Sequence, residues 1–496
     1  MATDHEQTEL ADFEGDLLDT PAAGPAAIRG SALRVAGYVL GVLLSLISIP
    51  LLIRHLGESE YGRYVTVISI VTIVQGVTDV GLGQIGVREY ATRTGPEKAG
   101  LMRNLLGVRF AMTAIGVALG TAFAAVAGYP NVVVIGTVLA GIGMVLTVVQ
   151  GTFAVPLSVR LQLGWVTALD LLRQVLSVGA IVALVLAGAQ LLAFLAIAVP
   201  VSVIVLFATI VLVRGSMPLR PSFQRDEWMV LMRAVLPFAA AVVVATLYLR
   251  MTVVLMSLLA TSQQTGYYAI AFSVISVLIA IPALTVGSTL PVLARAARDD
   301  SERLAYVVER LMEVTFIVGA GLGLSLAIGS GFVVRVLAGT KGHPAVIVLQ
   351  IESLALVTQF VGSSFQYGLL ALRRHRALLL NSAAGLAASV ILTFALVPSL
   401  EARGAAIAFA IAEVVVAAGS FIYLRSARPD LKFSPRVPLC VLLAAILGGG
   451  IAVLTGLSSL PASILGTMVY LGALLALRAI PAELMHAVTE RFQRAG

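Results

Sequence analysis

The sequence predicts an all-α protein that crosses a membrane about fourteen times. Its mean hydropathy is +0.99 over 496 residues, and charged residues make up only 12% of the chain. The placement of those charges is the third observation. No Asp, Glu, Lys or Arg occurs in residues 110–159, 174–213, 251–294 or 437–477, four gaps of 40 to 50 residues. Each gap is about twice the ~20 residues that one helix needs to cross the hydrocarbon core. Turn-forming breaks interrupt them, such as Gly128-Tyr129-Pro130-Asn131 and Thr261-Ser262-Gln263-Gln264-Thr265. The gaps therefore read as helical hairpins in lipid, because a water-soluble chain needs charge in its surface turns.

In order, spans are expected at 31–53, 63–87, 104–127, 131–155, 164–188, 190–213, 234–259, 266–291, 313–338, 345–370, 377–398, 404–424, 437–457 and 462–481. Residues 1–30 carry Asp4, Glu6, Glu9, Asp12, Glu14, Asp16 and Asp19, a composition that suits a solvated, disordered tail. That tail has neither the basic start nor the apolar run of a secretory signal. Residues 214–233 form a basic linker and 482–496 a short tail. Placing the N-terminus and every second loop in the cytoplasm puts 26 of the 33 Lys and Arg there, against Arg54, Arg63, Lys341 and Arg403 outside. This asymmetry predicts both termini inside, and the scarcity of lysine, only Lys98, Lys341 and Lys432 among the 33 basic residues, suits a bacterial coding bias and so a bacterial cytoplasmic membrane. The net charge of +7 sits in these short loops, so it is a topology signal and implies no nucleic-acid partner.

The first half of the chain echoes in the second. Tyr61-Gly62-Arg63-Tyr64 opens the second span and Thr265-Gly266-Tyr267-Tyr268 the eighth, an offset of 204. The same offset carries the basic loop 88–103 onto 292–307. Six spans separate the copies, so both run in the same direction, as in transporters with parallel repeats. Two six-helix lobes are expected, 31–213 and 234–424, with two extra helices in 437–481 and a substrate path between the lobes.

Several classes fall away. The outer loops are too short to fold a catalytic domain, so no enzyme is expected. None of Lys98, Lys341 and Lys432 follows Gly and precedes Ser or Thr, so there is no phosphate-binding Walker loop. The five histidines lack metal-ligand spacing, and the single cysteine, Cys440, excludes an internal disulfide. No metal and no cofactor is expected.

The stretch Gly57-Glu58-Ser59-Glu60-Tyr61-Gly62-Arg63-Tyr64, followed by Asp79-Val80-Gly81-Leu82 and Arg88-Glu89, resembles the polysaccharide flippases of the MOP transporter superfamily. Gly266-Tyr267-Tyr268-Ala269, Pro291 at the end of the eighth span, and Gly404-Ala405-Ala406 with Glu413 extend the resemblance to about residues 30–425. It implies a MOP/MATE-like fold and the export of lipid-linked polysaccharide repeat units. The partners implied are a lipid-linked oligosaccharide, the bilayer and envelope polymerase or assembly proteins, with the chain itself a monomer.

Ionisable residues inside spans are the candidates for transport, because charge in lipid is costly. Asp79 shares a helical face with Thr72 and Gln75. It either binds a proton or cation, or locks two helices through an arginine. Asp170 lies three residues from Arg173, a spacing that suits a pair within the helix. Arg250 stands deep in the seventh span with no acidic residue nearby on that helix. Its guanidinium suits a diphosphate through two parallel hydrogen bonds, with snorkelling to the interface as the alternative. Arg335, near the end of its span, reads as an interface anchor. Glu352, Gln359, Ser363 and Gln366 make a polar stripe along the tenth span, facing either a wet cavity or a helix seam. Glu413 stands alone in the twelfth. Arg34 and Arg88, at the inner ends of the first two spans, face the headgroup region as substrate contacts or as anchors.

The expected function is to flip a polyprenyl-pyrophosphate-linked oligosaccharide from the inner to the outer leaflet by alternating access. Arg250, Arg34, Arg88, Arg173, Gln359 and Gln366 are the candidates for substrate, and Asp79, Asp170, Glu352 and Glu413 for ion coupling or the lumen. A cation-coupled multidrug exporter of the MATE type and a flippase for the peptidoglycan precursor remain as alternatives.

Overall fold

Lipid offers backbone groups no hydrogen-bond partner, so a chain this apolar must satisfy them within helices. The computed structural model describes residues 23–79, 81–160, 162–214, 221–287, 289–299, 301–429 and 434–479, and among these every regular element is helical. The acidic residues of the N-terminal tail and the tail 482–496 lie outside the described residues. The helices are α1 (Ala23–Asp79), α2 (Leu82–Thr92), α3 (Gly95–Val126), α4 (Asn131–Phe153), α5 (Val155–Val159) and α6 (Leu163–Leu186). There follow α7 (Leu191–Ala196), α8 (Ala198–Leu212), α9 (Arg225–Leu259), α10 (Ser262–Gly287) and α11 (Leu290–Asp299). The last are α12 (Ser301–Ala338), α13 (Ala345–Ala371), α14 (His375–Ala427), α15 (Arg436–Leu454) and α16 (Ser459–Ala476).

Twelve stretches are long and apolar enough to cross a membrane, and two of them, at 50 and 53 residues, hold enough helix for two crossings each. Both contain a break. In α1 the break is Gly57 (φ 73°, ψ 173°), a conformation essentially reserved for glycine. In α14 it is Glu401 (φ 51°, ψ −129°). The halves of α14 fold back on one another. A Cβ on Gly404 would stand 2.5 Å from the Leu396 carbonyl oxygen. Asn381 donates to the Val416 carbonyl at 2.8 Å and to Ser420 Oγ at 2.7 Å. Counting each long stretch twice gives about fourteen passes. The eighth span lies four residues earlier than its expected 266–291. Helix α10 ends at Gly287, and Pro291 lies in the first turn of the separate α11, where a missing N–H costs nothing.

The chain divides into two compact units, one of Met1–Leu51 with Val74–Ala239, the other of Leu52–Ile73 with Ala240–Gly496. Residues 52–73 thus group with the second half of the sequence. In the first unit α4 is central. Gly143 lies against Ala198 of α8, Thr147 Oγ1 is 2.9 Å from Ser202 Oγ, and Phe153 joins Leu106, Leu169, Val201 and Val205 in an apolar core. In the second unit α13 is central, with Phe365 and Leu369 packed among Leu293, Leu304, Val308 and Leu424. The last two helices dock on α12. Tyr470 of α16 donates to the Ile317 carbonyl at 2.8 Å, and Ser463 Oγ lies 3.0 Å from Ser325 Oγ.

The repeat has a physical expression within the second unit. Gly62 and Gly266, related by the offset of 204, face each other where α1 and α10 cross. A Cβ on Gly62 would stand 2.7 Å from the Gly266 nitrogen and would collide with the Ser262 carbonyl, while one on Gly266 would collide with the Glu58 carbonyl. Beside them Ser59 Oγ and Ser262 Oγ are 2.6 Å apart. The glycine of the repeated Gly-x-Tyr recurs where two backbones touch.

Candidate functional site

Two polar clusters interrupt the apolar interior, one in each unit. The first starts where α1 ends. Asp79 closes that helix, and Gly81 turns the chain through a left-handed conformation (φ 86°) into α2, its carbonyl accepting from the Gln84 and Ile85 nitrogens at 3.1 Å each. Asp79 Oδ1 accepts from Arg109 Nη2 of α3 at 2.7 Å, and Arg109 Nη1 donates to Thr152 Oγ1 of α4 at 3.1 Å. A Cβ at Gly83 would sit 3.5 Å from the Arg109 guanidinium, so the glycines of this stretch shape both the turn and the slot. The Arg109 side chain is 7% exposed and that of Asp79 36%. Of the two readings of Asp79, the pair to an arginine is the one the geometry contains.

Arg173 of α6 also reaches α4. It donates to Gln150 Oε1 at 2.6 Å and to Thr147 Oγ1 at 3.0 Å, and Gln150 Nε2 continues to Thr209 Oγ1 of α8 at 3.0 Å. The guanidinium is thus held by neutral oxygens of a neighbouring helix, with the exposed Asp170 on its own helix as a nearby opposite charge. Gln174 turns the other way, to Ser45 Oγ at 3.0 Å. Arg88 is exposed and pairs with Glu89 at 2.9 Å. The side chain of Arg34 lies outside the described residues.

The second cluster surrounds α9, α10, α13 and α14. Arg250 is half-buried and makes no ion pair among the described residues; its guanidinium lies over the Phe272 ring, 5.4 Å from the centroid. Phe272 stacks on the fully buried Tyr268 and meets Phe409 edge-on. Glu413 is buried and accepts from the Tyr248 hydroxyl at 2.7 Å, and Thr252 Oγ1 lies 2.9 Å from Ser389 Oγ. Glu352 is completely buried, and neither carboxyl oxygen has a hydrogen-bond partner. A bare carboxylate in such surroundings is strongly unfavourable, so this group needs a proton, a cation or a partner brought to it. Along the same stripe of α13, Gln359, Ser363 and Gln366 are half-buried, and Gln359 Oε1 has no partner.

The structure brings Arg250, Glu352 and Glu413 into one unit and Asp79 and Arg173 into the other. It also supplies residues that sequence reasoning passed over. Arg109 was counted among the basic loop residues, yet it sits in an apolar run between Val108 and Phe110, which is the signal of a buried arginine. Tyr248 has no mark in the sequence beyond being a phenol in an apolar span. Glu313, buried and bonded to Arg310 Nη1 at 2.5 Å, is visible only as an i,i+3 pair. Among the described residues no three His, Cys, Asp or Glu side chains converge on a metal-sized site.

The family model described as "Polysaccharide biosynthesis protein" matches residues 51–347. Among solved structures the chain is similar to the lipid II flippase MurJ in an inward closed conformation, with a TM-score of 0.75 at 13% identity, covering 90% of this chain and 99% of that one. It is also similar to an inward-facing multidrug resistance MATE family transporter of the MOP superfamily (TM-score 0.65, 12% identity, 81% and 98% covered). A third likeness is to a MOP superfamily transporter from Pyrococcus furiosus (TM-score 0.53, 14% identity, 85% and 99% covered). At these identities the likeness establishes the fold alone. No curated protein sequence matches the chain.

Proposed function

Since the chain belongs to the polysaccharide biosynthesis protein family and has a MOP-type fold in a multi-pass membrane protein, we propose that it flips a polyprenyl-diphosphate-linked oligosaccharide from the inner to the outer leaflet of a bacterial cytoplasmic membrane. The observation that carries this reading is Arg250: a guanidinium half-buried in a membrane span and making no ion pair among the described residues. Such a charge is costly in lipid unless an anion meets it, and a diphosphate offers the planar pair of oxygens that arginine binds best.

The other residues take roles around it. Arg173, held by Gln150 and Thr147, is a second cation for the substrate. Gln359 and Gln366 offer amide donors and acceptors to sugar hydroxyls, and Arg34 and Arg88 meet the headgroup at the inner end. Glu352 and Glu413 are the coupling carboxylates, and Asp170 a peripheral one. Asp79 serves mainly as the anchor of Arg109. The glycan crosses while the prenyl tail stays in lipid, so transport calls for a polar path with alternating access to the two sides.

One observation favours a second reading. Glu352 and Glu413 are two buried carboxylates in one unit, the residue type a cation-coupled exporter of the MATE type requires. Deletion of the gene separates the two. Loss of a surface glycan, with its lipid-linked intermediate accumulating in the cytoplasmic leaflet, supports the flippase. An unchanged glycan with hypersensitivity to cationic dyes supports drug export.

A further inference from the structure

The loop joining α13 to α14 carries Arg373, Arg374, His375 and Arg376 in succession, and all four are exposed. Each is fully described, and none of the four side chains has a hydrogen bond or ion pair among the described residues. Leu369 and Leu424 share an apolar cluster below the loop, which brings the exposed Arg425 to the same end of the helices. Five exposed basic residues therefore lie at one end of these helices, and no carboxylate among the described residues is bonded to any of them.

Two features make this an expensive place for cations. Arg373 is left-handed (φ 55°) and ends α13 in a turn whose Arg374 and Arg373 nitrogens donate to the Leu369 and Leu370 carbonyls at 2.9 and 3.0 Å. The same turn ends α3 at Gly128 and α6 at Gly188, where glycine takes the left-handed position without steric cost. In addition, Arg374, His375 and Arg376 flank the start of α14, where the helix dipole disfavours positive charge. The helix end itself makes no site. It removes the usual electrostatic reason for placing cations there, and plain topology control would be served equally by arginines a few residues away.

We propose that Arg373, Arg374, His375 and Arg376, with Arg425 beside them, form a binding site for the phosphate of an anionic lipid headgroup. Guanidinium pairs match phosphate oxygens bidentately, and basic clusters at a membrane surface gain affinity with each added charge. A membrane phospholipid and a polyprenyl diphosphate share this chemistry, and the inference does not depend on what the protein transports.

The test uses the full chain in nanodiscs of zwitterionic lipid, titrated separately with phosphatidylglycerol and with a polyprenyl diphosphate, bound lipid being counted by native mass spectrometry. Arg373→Gly removes a charge and relieves the left-handed strain, so it should melt no lower than wild type while binding about 5-fold more weakly. Arg373→Gly with Arg374→Gln and Arg376→Gln should lose roughly 100-fold. Weakening confined to phosphatidylglycerol assigns the site to bilayer lipid, and weakening confined to the polyprenyl diphosphate assigns it to that carrier. Unchanged affinity for both in a folded triple variant overturns the proposal, as does equal retention of a zwitterionic competitor.

Discussion

Arg109 and Asp79 are joined at 2.7 Å across thirty residues of sequence, and this pair fastens the end of α1 to α3. Arg109 is nearly inaccessible and Asp79 about one-third exposed, so the two ends of the bond are unequal. Arg109→Ala strands a carboxylate and opens a hole, and should cost about 3 kcal/mol. Asp79→Asn keeps an acceptor but leaves the buried Arg109 guanidinium without its counter-charge, and should cost about 3 kcal/mol as well. A double-mutant cycle on thermal unfolding in detergent should return coupling of about 1 kcal/mol or more. If Asp79→Asn instead leaves stability unchanged and abolishes transport, Asp79 is a coupling residue and not an anchor.

The meeting of Gly62 with Gly266 predicts a sharp split among glycine substitutions. Gly266→Ala places a methyl group on the Glu58 carbonyl, and Gly62→Ala places one on the Ser262 carbonyl. Backbone cannot give way as a side chain can, so each should destabilise by about 2 kcal/mol. Gly41 and Gly100 lie in helices with nothing within 4 Å of a built Cβ. Alanine there should be neutral or stabilising by up to about 1 kcal/mol. Equal effects at all four positions would remove the contact as the reason for the repeated glycine.

The membrane crossings were legible because lipid forces the information into sequence: a span must be long, apolar and helical. Gly57 falls in the gap between the first two expected spans, 31–53 and 63–87. The break at Glu401 was read from the gap between apolar runs, although a glutamate in that conformation carries no such signal. The side-chain pairings were not legible, since they join residues far apart in the chain. Arg173 feels the charge of Asp170 at i−3, as the spacing suggests, but its hydrogen bonds to Gln150 and Thr147 of another helix leave no mark in the sequence. Arg109 lay too near a basic loop to be separated from topology residues by counting. The stripe on α13 was visible at its helical spacing, but only packing distinguishes the sealed Glu352 from the half-open Gln359 and Gln366.

Orientation rests on the 26-to-4 distribution of basic residues. Cys440→Ser gives a cysteine-free background, because Cys440 is the single cysteine of the chain. Single cysteines at the exposed Thr261, Lys341 and Ser458 should react with an impermeant thiol reagent in whole cells. Cysteines at Ala99, Ser301 and Ala377 should react only after the membrane is opened. Reversal at two or more positions would discard the assignment of both termini to the cytoplasm.

Arg250 gives the prediction that bears most directly on transport. Its guanidinium rests on Phe272 and is not neutralised by a protein carboxylate among the described residues, so removing it leaves no stranded partner. Arg250→Ala should therefore keep the protein folded. Arg250→Lys preserves the charge but loses the planar fork, and a single ammonium cannot make the two parallel bonds that a diphosphate accepts. In liposomes, both variants should lose at least 10-fold in the rate of moving a diphosphate-linked oligosaccharide lipid, a change equivalent to about 1.4 kcal/mol. A lysine variant at wild-type rate would mean that charge alone matters at this position. An alanine variant at wild-type rate would mean that the substrate never meets Arg250, and the search for the diphosphate ligand would move to Arg173.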